Sequence, residues 1–225
     1  MSRGQVRVGI VEDQPLFRDM LLTTLGATQD ITVVAAAGTV AEATQRFTAS
    51  EPDGCPIDVA LLDIDLPDGN GISFGVQLQR RHPTVKIVLL SAHNMMELLL
   101  DLPRDVGGWS YLSKTSSTSA TTLVQTVLST ARGRTVLDPA LVEASRPRPG
   151  TAVARLTDRQ YQVLRLLATG LSNPGIGERL GITEKSVQNH INTIYGALGI
   201  EPDPSFNPRV RAALTLLEES GIPES

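Results

Sequence analysis

The chain has 225 residues, 41% hydrophobic and 20% charged, with 24 acidic side chains against 20 basic ones and a single cysteine. That length suits two ordinary domains, the lone Cys55 excludes an internal disulfide, and a formal net charge of −4 excludes a strongly basic nucleic-acid binder. No apolar run approaches the roughly 18–20 residues of a membrane span, so a soluble, cytoplasmic protein is expected.

Val6-Arg-Val-Gly-Ile-Val11 is a short β-branched run ending on Glu12-Asp13, and helix-forming residues follow from Pro15. Residues 31–35 read as a second strand, 40–47 as a helix, and 58–63 as a third strand after a Pro/Gly-rich loop at 51–56. This third run is Val59-Ala-Leu-Leu-Asp-Ile-Asp-Leu-Pro-Asp-Gly-Asn-Gly71, apolar until it stops on carboxylates and turns. Its composition fits a strand covered on both faces that delivers Asp63 to a sheet edge. A helix over 72–81, a strand over 86–91, a short helix over 94–102, a strand over 108–112 and a helix over 118–131 complete the alternation. Five strands alternating with helices imply a doubly wound parallel sheet with right-handed crossovers.

The turns after four of these strands present Glu12-Asp13, Asp63, Ser91 and Lys114 at one rim. Three crowded carboxylates repel one another, and a hard divalent cation such as Mg²⁺ relieves that repulsion. A phosphoryl group on Asp63 could be held on three sides, by the cation on Asp13 and Asp63, the Lys114 ammonium and the Ser91 hydroxyl. His82, His93 and His190 lie far apart without cysteine partners, so no transition-metal site is expected.

These residues resemble the two-component response regulators. The receiver domain of that family carries such an acidic pair, an acceptor aspartate in an Asp-x-x-x-Pro setting like Asp63 to Pro67, a Ser or Thr like Ser91, and a Lys like Lys114. The resemblance covers the whole first half. It implies a flavodoxin-like fold, phosphorylation of Asp63 by a sensor histidine kinase or a small phosphodonor, and Mg²⁺ held by Glu12, Asp13, Asp63 and the backbone carbonyl of Asp65. Tyr111 stands where the family places its rotating aromatic, and the stretch 101–108 is expected to break the fourth helix early.

Residues 133–154 have no period and read as a linker with one helical turn near 139–144. Four helices follow. Thr157-Asp-Arg-Gln160 fits a capping box, Gly170 stops that helix, residues 172–180 form a second ended by Gly181, Thr183 caps a third, and 208–219 form a fourth. The segment from Leu156 to Ile200 resembles the LuxR-type helix-turn-helix output domain. The expected order is thus a receiver over 1–132, a linker over 133–154 and an all-α DNA-binding domain over 155–225.

On the third helix Lys185, Gln188, Asn189 and Asn192 share one face, with Ser186 in the same recognition segment. Gln and Asn can pair bidentately with adenine in the major groove, and Lys185 can reach phosphate or guanine. With 7 basic against 8 acidic side chains over 151–225, such contacts would come from a local patch. Gly175 and Gly177 are expected to weaken the supporting helix by roughly 1–2 kcal/mol together. The fourth helix resembles the family's dimer helix, so a homodimer on promoter DNA, and no enzyme, is implied. Two alternatives compete. The tail could be a protein-binding module, and Leu61-Leu-Asp-Ile-Asp65 also resembles the nucleophile motif of haloacid-dehalogenase-like phosphatases, although there the acidic pair lies downstream.

Overall fold

The β-branched and apolar runs become strands of one parallel sheet. In the computed structural model these are β1 (Val6–Val11), β2 (Ile31–Ala37), β3 (Val59–Asp63), β4 (Lys86–Ser91) and β5 (Trp109–Ser113), paired in the order β2-β1-β3-β4-β5. The structure describes residues 4–48, 57–92, 109–201 and 207–221. The helix expected over 94–102, the irregular stretch after it, Cys55 and His93 lie outside these described residues. The chain divides into two units, with the described residues up to Gly133 in the first and those from Arg134 in the second.

In the first unit the helices are α1 (Pro15–Gly26), α2 (Val40–Thr48), α3 (Gly71–Arg81), the single turn α4 (Lys114–Ser117) and α5 (Ala120–Ala131). On one sheet face Val8, Ile10, Val59, Leu61, Val88, Leu90 and Leu112 pack with Leu21 and Leu25 of α1 and Leu123 and Val127 of α5. Every residue of β3 is buried, as its unbroken apolar run requires of a central strand. The helix expected over 118–131 forms as α5, and the separate turn α4 precedes it because Ser113 and Ser119 each act as an N-cap. Ser113 accepts from the N–H of Ser116 and Ser119 from that of Thr122.

Because the chain runs from β1 out to β2 and returns to β3, the loops leaving β1 and β3 part in opposite directions. In open parallel sheets that divergence leaves a crevice beyond the strands' carboxyl ends. Glu12, Asp13 and Asp63 stand at this point.

The stretch 133–154, expected as a linker with one helical turn near 139–144, holds that turn and packs within the second unit from Arg134 onward. Val136 and Leu137 are buried, Leu137 donates its N–H to the Ala168 carbonyl, and α6 (Pro139–Ala144) buries Leu141 and Val142. Arg146 and Pro147 then pair antiparallel with Ser220 and Gly221. The apolar side chains among the prolines and polar residues seal the domain, which is why this segment does not behave as a spacer.

Four helices follow: α7 (Asp158–Ala168), α8 (Asn173–Leu180), α9 (Glu184–Ala197) and α10 (Pro208–Glu218). Thr157 and Gln160 complete the capping box in both directions. Gly181, with φ 64°, closes α8 in the left-handed conformation that glycine tolerates best. Val187, Ile191 and Ile194 seat α9, and α10 buries Val210, Ala212, Ala213, Leu216 and Leu217 within its own unit.

The two glycines of α8 turn out to differ. A Cβ on Gly175 would sit 3.4 Å from Ser172 Oγ, an ordinary contact, whereas one on Gly177 would lie 2.7 Å from the Ile182 carbonyl oxygen. Gly177 also accepts the Ile182 N–H, so it closes the tight turn between the two helices. Gly175→Ala should therefore stabilise by about 0.5–1 kcal/mol and Gly177→Ala destabilise by about 1–3 kcal/mol. Urea titrations of the full chain check this, and shifts of the same sign would refute it.

Candidate functional site

Sheet geometry carries the acidic residues and the lysine to one place. Glu12 follows β1, Asp63 ends β3, and Lys114 follows β5. Lys114 Nζ lies 2.8 Å from Glu12 Oε1 and 2.8 Å from Asp63 Oδ2, bridging two buried carboxylates. The same ammonium stands 5.1 Å from the centroid of the Phe17 ring. Asp13 is partly buried beside them, and Glu12, Asp13 and Asp63 offer oxygens all within 4.8 Å of one another. Ser91 is fully buried at the end of β4, one residue beyond Leu90, the register partner of Asp63.

Burial is the main influence on both acids and raises them above the usual carboxylate range, with Lys114 opposing it through its hydrogen bonds and charge. Asp63 adds repulsion at Glu12, and Asp13 adds it at Asp63. For Lys114 burial pulls downward, but the hydrogen bonds and charges of Asp63 and Glu12 outweigh it, so the ammonium form is strengthened. One cation thus faces three carboxylates, and negative charge remains uncompensated. Glu12 Oε2 is buried and lacks a hydrogen-bond partner among the described residues. A carboxylate oxygen left in that state fits a hard cation with oxygen ligands.

The other expected residues are placed less uniformly. The Asp65 side chain is exposed and outside the carboxylate cluster. Its N–H reaches Asp63 Oδ1 at 3.4 Å, and only its backbone carbonyl is left for the role expected of it. Tyr111 is 1% exposed, deeper than a half-buried strand position, and shares a sheet face with Leu89 and Leu62. Three residues that the sequence reading missed also shape the pocket. Arg18 Nη1 donates to the Glu12 carbonyl at 2.5 Å, Asn70 Oδ1 caps α3, and Asp68 accepts the N–H groups of Val40 and Ala41 at the start of α2. Asp68 meets backbone atoms 27 and 28 residues away, and Arg18 folds back over the turn between β1 and α1, neither of which side-chain spacing reveals. The Asn70 cap, by contrast, was readable as an Asn just before an apolar period.

In the second unit Lys185, Gln188, Asn189 and Asn192 form an exposed face of α9. Ser186 is set apart from them. It is half-buried, and its hydroxyl lies 2.9 Å from that of Thr183, the cap of the same helix. Gln188 and Asn192 are already engaged, Gln188 Oε1 by Asn173 Nδ2 at 2.8 Å and Asn192 Oδ1 by Gln188 Nε2 at 2.9 Å.

Fold and site together define a two-domain signalling protein, an α/β domain with an acidic, lysine-bridged pocket at its topological switch point joined to a helix-turn-helix domain. Residues 8–127 match the family model of the response regulator receiver domain, and residues 154–204 match that of the bacterial regulatory proteins of the luxR family. The chain is 34% identical over 202 residues to the DNA-binding transcriptional activator DevR/DosR of Mycobacterium tuberculosis (strain ATCC 25618 / H37Rv), covering 87% of this chain and 89% of that one. It is 29% identical over 212 residues to the transcriptional regulatory protein LnrK of Bacillus subtilis (strain 168), covering 87% and 91%. Among solved structures, the signal receiver domain of NarL from Mycobacterium tuberculosis matches with a TM-score of 0.51 and 29% identity, over 59% of this chain and all of that one. The chain belongs to the response regulators, with a receiver domain followed by a luxR-type DNA-binding domain. This membership favours the transcriptional reading over the phosphatase and protein-binding alternatives.

No helix among the described residues is long and apolar enough to cross a membrane.

Proposed function

We propose that Asp63 is the phosphoacceptor and that its modification switches DNA binding by the second domain. The observation that carries this reading is the buried triangle of Asp63, Glu12 and Lys114, with a carboxylate oxygen to spare. A carboxylate oxygen of Asp63 attacks the phosphorus of a phosphohistidine on a sensor kinase, or of a small phosphodonor. The new P–O bond forms as the bond to the donor breaks, and the leaving group keeps the electron pair. Lys114 then exchanges its contact with Asp63 for one phosphoryl oxygen, and the Ser91 hydroxyl donates to another. Glu12, Asp13, Asp63 and the Asp65 carbonyl would hold Mg²⁺, which when bound neutralises charge on the carboxylates and on the transferring group.

Phosphorylation adds up to about two negative charges at a buried edge. Lys114 and Ser91 are drawn toward that charge, and Tyr111, packed on β5 three residues before Lys114, follows. The domain surface then favours a homodimer, which brings two copies of α9 to adjacent half-sites in cytoplasmic promoter DNA. Lys185, Gln188, Asn189 and Asn192 make the contacts, with Ser186 at the margin.

The test is the affinity of the full chain for genomic promoter fragments with and without Mg²⁺ and beryllium fluoride, which mimics the acyl phosphate. A rise of about tenfold or more is expected, corresponding to a shift of about 1.4 kcal/mol or more in a two-state equilibrium. Equal affinity in both conditions would sink the switch.

A further inference from the structure

We propose that Arg209, at the start of α10, is a positioning residue that sets which base edge α9 reads, by fixing the direction of a hydrogen-bond chain ending on Asn192. The inference rests on the reading of α9 as the DNA-contacting helix. An arginine guanidinium has five N–H donors and no acceptor, so whatever faces it must accept. Arg209 is half-buried and held at two points. Nη2 donates to the Leu171 carbonyl and Nη1 to Asn173 Oδ1 at 3.0 Å.

A carboxamide has one accepting end and one donating end. With Oδ1 turned to Arg209, Asn173 presents Nδ2 to Gln188, whose Oε1 accepts at 2.8 Å. Gln188 therefore turns Nε2 onward, and Asn192 Oδ1 accepts it at 2.9 Å. The outward end of Asn192 is then its Nδ2, a donor with no partner among the described residues. Flipping any one amide would set donor against donor or acceptor against acceptor at the next link, so a single cation orients all three.

The consequence changes the expectation drawn from residue types alone. The Gln188 and Asn192 oxygens each already accept one hydrogen bond, and the end that Asn192 turns outward is its N–H pair. The chain offers N–H groups, which match acceptors, and guanine presents two acceptors on its major-groove edge. Reversing the chain would present an oxygen instead, which matches the amino groups of cytosine or adenine.

The experiment is selection of binding sites by the full-length protein from a randomised duplex library, with and without beryllium fluoride. Wild type is compared with Arg209→Lys, Arg209→Gln and Asn173→Asp. Asn173→Asp has acceptors only, still satisfies Arg209, and forces Gln188 to present Nε2 backward and Oε1 onward. Wild type and Arg209→Lys, both with a donor-only head, should favour guanine at one position of each half-site. Asn173→Asp should prefer cytosine or adenine there by about tenfold, while the remaining positions keep their preference. Arg209→Gln, able to donate or accept, should lose discrimination at that position alone.

An unchanged site in Asn173→Asp and Arg209→Gln, or a uniform loss over all sequences, would make Arg209 a structural residue and overturn the proposal. If Arg209→Gln fails to fold, as far-UV circular dichroism would show, Asn173→Asp still decides. Failure of the wild type to select any sequence would overturn the underlying DNA reading, and the proposal with it.

Discussion

Asp63→Asn takes up no phosphoryl group from acetyl phosphate, yet its receiver domain unfolds at a higher temperature than wild type in the absence of divalent cations. Loss of labelling follows from removing the nucleophilic oxygen, and its size is the whole stoichiometric signal. The gain in stability follows from charge. Three carboxylates face one ammonium, Asp63 is almost fully buried, and burial raises its pKa more than Lys114 lowers it. A carboxylate with a raised folded-state pKa supports the fold most below its unfolded value, near pH 4, and that support is lost as pH rises through the folded value. At pH 7 the wild type carries the full burden, and the amide removes it while Lys114 keeps Glu12 at 2.8 Å. A gain on the order of 1 kcal/mol, about 2–8 °C in Tm, is expected at pH 7 and should vanish toward pH 4. Mg²⁺ should raise the Tm of wild type, increasingly so from pH 5 to 8 as the acids deprotonate, and raise that of Asp63→Asn little. Calorimetric scans across pH check both. A destabilised Asp63→Asn, or Mg²⁺ stabilisation equal in the two proteins, would contradict this account of the pocket.

Gly71→Ala should remove function and fold stability together. A Cβ on Gly71 would lie 1.9 Å from the carbonyl oxygen of Asp63 itself, a distance no side-chain adjustment relieves because the obstacle is backbone. Gly71 also donates its N–H to the Ile64 carbonyl, and Asn70 beside it caps α3. The loop from Asp63 to Gly71 must therefore move, and Asp63 leaves Lys114. A loss of about 3 kcal/mol or more and a fall of at least about tenfold in phosphoryl uptake are expected from urea titration and from labelling with acetyl phosphate. Gly69→Ala is the control. Its Cβ would approach only the Val40 side chain, at 3.2 Å, and its effect should stay within about 1 kcal/mol. Wild-type labelling by Gly71→Ala would show that the loop has room the geometry denies it.

These two residues also separate what is legible in the chain from what is not. Asp63 is readable because the apolar run Val59 to Leu62 fits a buried strand, and the first carboxylate after it lies at the strand's end. The same reasoning locates Glu12, Ser91 and Lys114. Gly71 reads only as a turn glycine, since nothing in its neighbours reports how closely the Asp63 carbonyl returns. On α9, helical periodicity places Lys185, Gln188, Asn189 and Asn192 on one face. It says nothing of Asn173 and Arg209, which lie 15 and 36 residues apart from their partners in the chain. Over 133–154 the prolines and glycines mask a few apolar residues that are in fact core, so a packed segment reads as a linker.

By itself the sequence determined the doubly wound sheet, the capped helices and the placement of Glu12, Asp63 and Lys114 at strand ends, because these follow from local periodicity and from where apolar runs must stop. Only the tertiary structure decided that Glu12 keeps a buried oxygen without a partner among the described residues, that Gly177 is required by a turn, and that Arg209 donates to Asn173 at the head of a row of amides ending on Asn192. Each of those depends on the distance between atoms far apart along the chain, and hydrogen-bond and steric energies change over tenths of an ångström that no spacing of residue types encodes.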